Sequence, residues 1–272
     1  MGKWAENNFG QSKFSDIGIV VAGTVGDEFE KEILGLFDNV LFRKDSVYHN
    51  YLVKKGSEEY PVVFNVYGAP AMMDVITLMH DGGCRTIIFV GYAYGGFKNL
   101  EVGSVMIPSK AYHFEGIYHH IEPDKKASLP DIQLKKKIED ILKKGKINYT
   151  EGKNITVPAV SFQLPHNNPE YKKINPDTVE MELAACLSRA KEIGMRAAGV
   201  LIISDNKGSS IGDLTKKRLR HDARLKVLKE IVKSILSFKL SKLKVKKEFD
   251  RSEYLASIID DPEDKTNIYK SK

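Results

Sequence analysis

Short apolar runs constrain this fold more than any other feature of the chain. Ile17–Ala22, Thr86–Val90 and Ala197–Ile203 are apolar or small at nearly every position. Strands covered on both faces have this pattern, whereas a strand with one face in water alternates apolar and polar residues. Because stretches with helical periodicity separate the three runs, the sequence predicts a layered α/β fold built on a buried sheet.

The remaining segments extend this alternation of strands and helices. Further strands are predicted at Pro61–Val66, Ser104–Pro108, Ala111–Gly116 and Ile155–Val160. Helices are predicted at Asp27–Phe37, Ala71–Met79, Leu129–Lys144, Thr178–Ile193 and Thr215–Phe238. We interpret residues 1–238 as one domain and residues 239–272, which are first lysine-rich and then acidic, as a C-terminal tail.

The apolar runs and the cysteines indicate a cellular location. No apolar run reaches the roughly 20 residues that a membrane helix needs, and the first residues lack the apolar core of a secretory signal. Cys84 and Cys186 are the only cysteines, and both have apolar neighbours. Two such residues fit reduced thiols better than a disulfide framework. We therefore expect a cytoplasmic protein with no membrane partner.

Basic residues are concentrated in two of the predicted helices, and the chain has a formal net charge of +6. Such clusters are typical of nucleic-acid binding through phosphate contacts, but they also occur as solvated helix faces. No aromatic side chains interleave with these lysines, as a stacking surface for bases requires. The sequence favours solvated faces and predicts no nucleic-acid partner.

Glycine-rich or polar turns follow several predicted strands. Ligands of open α/β sheets usually lie beyond the carboxyl ends of the strands. In this chain those ends hold Ala22-Gly23-Thr24, Tyr67-Gly68-Ala69-Pro70, Gly91-Tyr92-Ala93-Tyr94-Gly95-Gly96 and Ser204-Asp205-Asn206. The spacing is not a dinucleotide fingerprint, because no GxGxxG opens a helix after the first strand. His119 and His120 lack acidic or cysteine partners at ligand spacing, so no metal site is predicted.

Two carboxylates stand out by their surroundings. Asp205 follows seven apolar or small residues, and desolvation at such a place raises a carboxyl pKa, as a general acid requires. A turn or N-cap aspartate fits this pattern equally well. Glu182 has apolar neighbours three and four positions away, which places it on an apolar helix face. If it is buried there it needs partners, which two sugar hydroxyls or a salt bridge to Arg189 or Arg196 would supply. A surface helix with an imperfect apolar pattern is the other interpretation.

Taken in order, these motifs resemble the nucleoside phosphorylase family, which contains hexameric purine and uridine phosphorylases and related nucleosidases. The matching segments are Ala22-Gly23-Thr24, Tyr67-Gly68-Ala69-Pro70, Ile87–Gly91 with Gly95-Gly96, Val179–Ala185 and Ser204-Asp205. The resemblance implies a three-layer α/β sandwich with a mixed, partly barrel-like central sheet. It also implies a homodimer or homohexamer with sites near subunit boundaries, a small-molecule nucleoside as ligand, and no metal or organic cofactor.

By this resemblance the chain would cleave the N-glycosidic bond of a nucleoside. Glu182 would bind the ribose hydroxyls, Met181 would pack on the sugar, and Glu180 would line the pocket.

The resemblance also implies a site for the base. Phe162 would stack on the base, and Ser204 and Asp205 would contact it. Asp205 would donate a proton to a purine ring nitrogen as the bond breaks, and Arg218 would assist this aspartate. The Ser-Asp pair favours a purine, because uridine-specific members of the family lack it.

The phosphate half of the family's site is not preserved. The family has one arginine after the first glycine turn and another before the VG of the third strand. Asp27 and Phe89 stand at these places, and Tyr92 replaces the serine that follows the same VG. Arg43 or Lys44 would have to act from a neighbouring subunit. The remaining candidates for phosphate contact are Gly23, Lys31, Arg43 and Lys44.

Three functions are consistent with this pattern. The first is a purine nucleoside phosphorylase that releases free base and ribose 1-phosphate, with inorganic phosphate as co-substrate. The second is a hydrolytic nucleosidase, in which water replaces phosphate. The third is a nucleoside-binding paralogue without turnover. The first is preferred only because phosphorylases are common in the family.

Overall fold

A mixed sheet of ten strands organises the part of the chain that the structure describes, residues 2–23, 26–163, 168–210 and 212–238 of a computed structural model. The predicted tail lies outside these ranges. The strands are β1 (Ile17–Ala22), β2 (Asn39–Asp45), β3 (His49–Lys55), β4 (Glu58–Val66), β5 (Thr86–Tyr94), β6 (Val105–His113), β7 (Ala127–Ser128), β8 (Thr150–Thr156), β9 (Thr178–Glu180) and β10 (Arg196–Asp205).

Eight α-helices accompany these strands within the described ranges. They are α1 (Lys3–Phe9), α2 (Asp27–Leu34), α3 (Ala69–Asp81), α4 (Ile117–Ile121), α5 (Ile132–Lys144), α6 (Pro169–Ile174), α7 (Leu183–Glu192) and α8 (Lys217–Ser234). Short 3₁₀ turns lie at Val160–Phe162, Leu214–Lys216 and Ile235–Ser237. None of the helices described is both long enough and apolar enough to cross a bilayer.

Five of the strands close on themselves. β5 pairs with β10, β10 with β6, β6 with β8, β8 with β9, and β9 returns to β5. Outside this circuit the sheet continues from β5 through β1, β4 and β3 to β2 at the edge. The ladder mixes parallel and antiparallel pairs, which confirms the mixed, partly barrel-like sheet.

Helices cover both faces of the sheet. On one face α2, α5 and α8 bury residues such as Ile33, Ile138 and Ile231 against it. On the other face α1, α3 and α7 do the same with Phe9, Met79 and Leu187. Such buried side chains are each worth about 1.5–3 kcal/mol relative to exposure. The three layers confirm the predicted sandwich.

One predicted helix and two predicted strands divide the chain differently from the structure. The helix predicted at Thr178–Ile193 begins only at Leu183, because its first residues form strand β9. The two strands predicted at 104–108 and 111–116 are the single strand β6. Its pairing register shifts between Pro108 and Lys110, and such an irregularity accommodates a proline that has no N–H to donate.

The strand directions bring the turns that follow four of the strands to the same edge of the sheet. β1, β4, β5 and β10 run parallel to one another, so their carboxyl ends meet at one edge of the sheet. The turn between β9 and α7 lies against the same edge, because Val179 pairs with Tyr94 at the end of β5.

Candidate active site

A cavity of about 270 Å³ lies at this edge of the sheet. It is lined by Gly23, Tyr67, Tyr92, Ala93, Tyr94, Val160, Gln163, Glu180, Met181, Glu182, Ser204 and Asp205. Glu182 and Asp205 therefore face one shared space, although they are 23 positions apart in the chain (205 − 182). The turns that follow the strands supply most of the lining, as ligand sites of α/β sheets usually require.

Glu180 holds the turn between β9 and α7. It is 2% exposed, and its carboxylate accepts the backbone N–H groups of Glu182 at 2.6 Å and Leu183 at 2.7 Å. The Asn154 amide donates to the other oxygen at 2.7 Å, and the Thr156 hydroxyl also donates to it. These contacts satisfy N–H groups that the start of α7 would otherwise leave unpaired. They also explain why the strand ends here and the helix begins.

Glu182 immediately precedes the first residue of α7, rather than lying on the face of a longer helix as predicted. It is 5% exposed, and its carboxylate accepts the N–H of Gly68 at 2.6 Å and that of Met181 at 3.3 Å. Gly68 has a φ of 84°, a conformation that favours glycine. Burial, reinforced by the charge of Glu180, raises the pKa of Glu182 to about 8.

The two arginines considered as salt-bridge partners of Glu182 contact other side chains in the structure. Arg189 lies 3.0 Å from Glu192 and donates to the Thr77 hydroxyl at 2.9 Å. Arg196 donates to the Gln133 side chain at 2.9 Å. The Glu182 carboxylate is held by backbone N–H groups, which leaves its remaining lone pairs free to accept hydrogen bonds from a ligand.

Asp205 is the last residue of β10 and lines the same cavity as Glu182. The Ser204 hydroxyl donates to the Asp205 carboxylate and also lies 3.2 Å from the Ala93 carbonyl. Burial raises the pKa of Asp205, while the Ser204 hydrogen bond and the charge of Arg220 oppose that shift. A carboxyl with a raised pKa at a cavity wall has the property of a general acid.

The prediction that Arg218 assists Asp205 disagrees with the structure. The Arg218 side chain is 85% exposed and pairs with Asp222 at 3.0 Å. Arg220 is the buried arginine, and it donates to the Ser204 carbonyl at 3.2 Å and to the Asp213 carbonyl at 2.9 Å. Two positions along a helix rotate a side chain by about 200°, so only one of these arginines faces the sheet.

The predicted stacking residue, Phe162, does not line the cavity. Its side chain is 48% exposed, and its carbonyl accepts the Tyr171 hydroxyl at 3.3 Å. Val160 and Gln163, on either side of it, line the cavity instead. The aromatic lining comes from three tyrosines in strand-end turns that the sequence had already singled out. These residues are Tyr67, Tyr92 and Tyr94.

Three of the four candidates for phosphate contact, Gly23, Arg43 and Lys44, already have a hydrogen-bond or ion-pair partner in the same chain. Gly23 lines the cavity, but its N–H donates to the Val66 carbonyl at 2.8 Å. Arg43 pairs with Asp45 at 2.6 Å, and the Lys44 ammonium donates to the Asn7 carbonyl at 2.7 Å. Arg43 and Lys44 lie on edge strand β2. Lys31 is exposed on α2 and does not line the cavity.

The charges around the cavity are all of one sign. Glu180, Glu182 and Asp205 contribute carboxyl groups, and none of the described residues that line the cavity is Lys, Arg or His. Within the same described ranges, no three His, Cys, Asp or Glu side chains cluster in a way that would hold a metal ion. The site can stabilise a cationic group and can donate a proton from a buried carboxyl.

Solved structures of similar fold come from nucleoside-processing enzymes. Campylobacter jejuni 5′-methylthioadenosine/S-adenosyl homocysteine nucleosidase has a TM-score of 0.70 and 15% identity, and the match covers 82% of this chain and 99% of that one. Toxoplasma gondii purine nucleoside phosphorylase in complex with immucillin-H has a TM-score of 0.70 and 18% identity, with 83% and 94% covered. Helicobacter pylori futalosine hydrolase has a TM-score of 0.67 and 16% identity, with 81% and 97% covered. At these identities the likeness is one of fold.

A family model gives the stronger result. No curated protein matches the chain. The model described as the phosphorylase superfamily matches residues 19–237, a range that includes every strand of the sheet except the first two residues of β1. The chain belongs to the phosphorylase superfamily.

Proposed function

We propose that this protein cleaves the N-glycosidic bond of purine nucleosides, with water as the nucleophile. The sequence alone favoured phosphorolysis, which remains the second candidate. The observation that carries the proposal is the charge of the cavity, which is lined by carboxyl groups and, among the described residues, by no basic side chain.

Phosphate binding needs donors that the described residues of this cavity do not offer. Enzymes hold phosphate with arginine forks and free backbone N–H groups. The Gly23 N–H is already donated to the Val66 carbonyl, and the first turn of α2 carries the acidic residues Asp27 and Glu28. A phosphate dianion placed among Glu180, Glu182 and Asp205 would be repelled by each of these carboxyls that is ionised, whereas a neutral water molecule would not.

The same carboxyl groups suit the departure of the base. Cleavage of a glycosidic bond passes through an oxocarbenium-like transition state, in which the sugar becomes cationic. Glu182, and behind it Glu180, can place negative charge beside that cation, because the cation favours the ionised form of each carboxyl even though burial raises the pKa of both. The ionised Glu182 carboxylate can also accept hydrogen bonds from two neighbouring sugar hydroxyls.

Asp205 supplies the proton. The base leaves readily only if its developing negative charge is neutralised. Because burial raises the pKa of Asp205, this carboxyl keeps its proton to a higher pH than an exposed aspartate. The neighbouring Ser204 hydroxyl fixes the orientation of the carboxyl. A purine has a ring nitrogen that can take this proton, and the named substrates of the nucleosidase of similar fold, methylthioadenosine and S-adenosyl homocysteine, are purine nucleosides.

A product assay separates the candidates. Adenosine, inosine, guanosine, methylthioadenosine and uridine are each incubated with the protein, with and without phosphate. We expect base release from the purine nucleosides, at a rate that phosphate does not change, together with free sugar. A rate that requires phosphate, together with sugar 1-phosphate as product, would establish phosphorolysis instead. Recovery of intact nucleoside after long incubation would identify a binding protein without turnover.

A further inference from the structure

A buried arginine lies beside the candidate active site without lining it. Arg224, on α8, is the bulkiest of the fully buried side chains in the described part of the protein. Its Nη2 donates to the carbonyl of Ala22, the residue before the cavity-lining Gly23. Its guanidinium carbon lies 4.0 Å from the ring centroid of Tyr92 and 5.3 Å from that of Phe29.

This guanidinium keeps two of its donor atoms unused. Nε and Nη1 of Arg224 are buried and find no hydrogen-bond acceptor among the described residues. Buried donors without an acceptor destabilise a fold, and charged donors do so more strongly than neutral ones. Burial lowers the pKa of Arg224, and the nearby Tyr92 and Glu182 side chains oppose that shift. Arg220, by contrast, donates from both Nη1 and Nη2 to backbone carbonyls.

Tyr92 separates Arg224 from the cavity. The tyrosine lines the cavity and also lies against the guanidinium. It stands where the phosphorylases that this chain resembles have a serine. A ring between a cation and a cavity denies an anion direct hydrogen bonds to that cation, although it leaves the cation close by.

We propose that Tyr92 and Arg224 together select the nucleophile. Arg224 forms the base of an anion site suited to a tetrahedral oxyanion such as phosphate, and the Tyr92 ring closes that site so that water reacts instead. The proposal rests on the hydrolytic function proposed above. Guanidinium donors fit phosphate oxygens closely, so removal of the ring should expose a ready-made phosphate contact.

Opening the site would allow phosphate to replace water as the nucleophile. In a Tyr92→Ser protein, a phosphate oxygen forms the new bond to C1′ of the sugar as the bond from C1′ to the base nitrogen breaks. Asp205 gives its proton to the departing base. The products are free base and sugar 1-phosphate, and no further reactant is required.

The test compares phosphate binding and product in four proteins: wild type, Tyr92→Ser, Tyr92→Phe and Tyr92→Ser/Arg224→Met. Inorganic phosphate is titrated by calorimetry, and inosine products are measured with and without phosphate. We expect Tyr92→Ser to bind phosphate at least about tenfold more tightly than wild type, a gain of about 1.4 kcal/mol, and to form ribose 1-phosphate. Tyr92→Phe keeps the ring and should respond to phosphate as the wild type does. The double variant should lose the gain.

Two outcomes would overturn the proposal: a folded Tyr92→Ser protein that binds phosphate no better than wild type, or a double variant that keeps the gain. Should Tyr92→Ser not fold, Tyr92→Ala opens the same space without a hydroxyl and is read in the same way. The binding arm does not depend on turnover. A wild-type protein that already requires phosphate would contradict the hydrolytic function, while the comparison of phosphate affinities would still test whether Tyr92 covers Arg224.

Discussion

The carboxylate of Glu180 accepts the backbone N–H of Glu182 at 2.6 Å, so that one buried acid fixes the position of a second. Both oxygens of the Glu180 carboxylate accept hydrogen bonds, one from strand β8 and the other from the start of α7. The Glu182 carboxylate accepts two backbone N–H groups and faces the cavity. Glu180 therefore stabilises the turn, and Glu182 is the carboxyl available to a ligand.

Replacement of Glu182 by glutamine should abolish most activity. The amide has a similar size, but unlike the carboxyl it cannot ionise beside the cationic sugar, and it accepts hydrogen bonds less strongly than a carboxylate does. Loss of two charge-assisted hydrogen bonds at about 1.5–3 kcal/mol each predicts a fall in kcat/KM of at least about a hundredfold for inosine. Glu101→Gln, at an exposed position, is the matched control and should retain wild-type kinetics. Similar rates for the two variants would remove Glu182 from the site.

Glu182 should also make the protein less stable as the pH rises. The pKa of its carboxyl is about 8 in the folded protein, against an ordinary value of 4.5. Between these values the unfolded chain has released the proton that the folded chain keeps. Stability from this group is therefore complete below about pH 4.5 and is lost as the pH rises to about 8, by up to roughly 1.4 kcal/mol per pH unit.

Urea unfolding at a series of pH values measures this effect. Glu182→Gln has no proton to release at this position, so its free energy of unfolding should fall less steeply than that of the wild type between pH values of about 5 and about 8. Parallel curves for the two proteins would show that Glu182 titrates normally.

Asp205→Asn should slow the release of a purine base by a factor of about 10² to 10⁴, the usual contribution of a general acid. The loss should be much smaller with a nitrophenyl riboside, because nitrophenolate leaves without being protonated. Asp124→Asn, at an exposed position, is the control. An equal loss on both substrates would mean that the asparagine damages binding rather than proton transfer.

The two arginines at the start of α8 give opposite predictions. Arg220→Met removes a cation that lowers the pKa of Asp205, so the pH above which kcat/KM declines should move upwards, with a loss of activity of about tenfold. Arg218→Met removes an exposed side chain paired with Asp222 and should leave the pH profile unchanged. The reverse result would restore the role that the sequence predicted for Arg218.

The sequence predicted the sheet and the position of the cavity because both depend on local patterns. Apolar runs such as Ile17–Ala22 identified the buried strands, and the turns after them supplied the lining. Strand β2 escaped prediction because it lies at the edge of the sheet with mostly exposed residues, which leaves no apolar periodicity to detect. Helix α1 is only seven residues long and carries a similarly weak pattern.

The side chains that position the cavity-lining residues were harder to predict from sequence. Arg218 and Arg220 differ only in which face of α8 they occupy, and the chain packing that decides this is not visible in a run of basic residues. Arg224 lay unnoticed in the same run, because a buried arginine and a solvated one look alike in sequence. The capping role of Glu180 depended on where β9 ends, a boundary that the continuous pattern of residues 178–193 concealed.

The most direct test of hydrolysis is the fate of the sugar when the wild-type protein acts on inosine in isotopically labelled water with phosphate present in excess. Hydrolysis predicts free ribose as the sugar product, with one atom of labelled oxygen at C1 in samples analysed before the anomeric oxygen exchanges with the solvent. Ribose 1-phosphate without the label would contradict it.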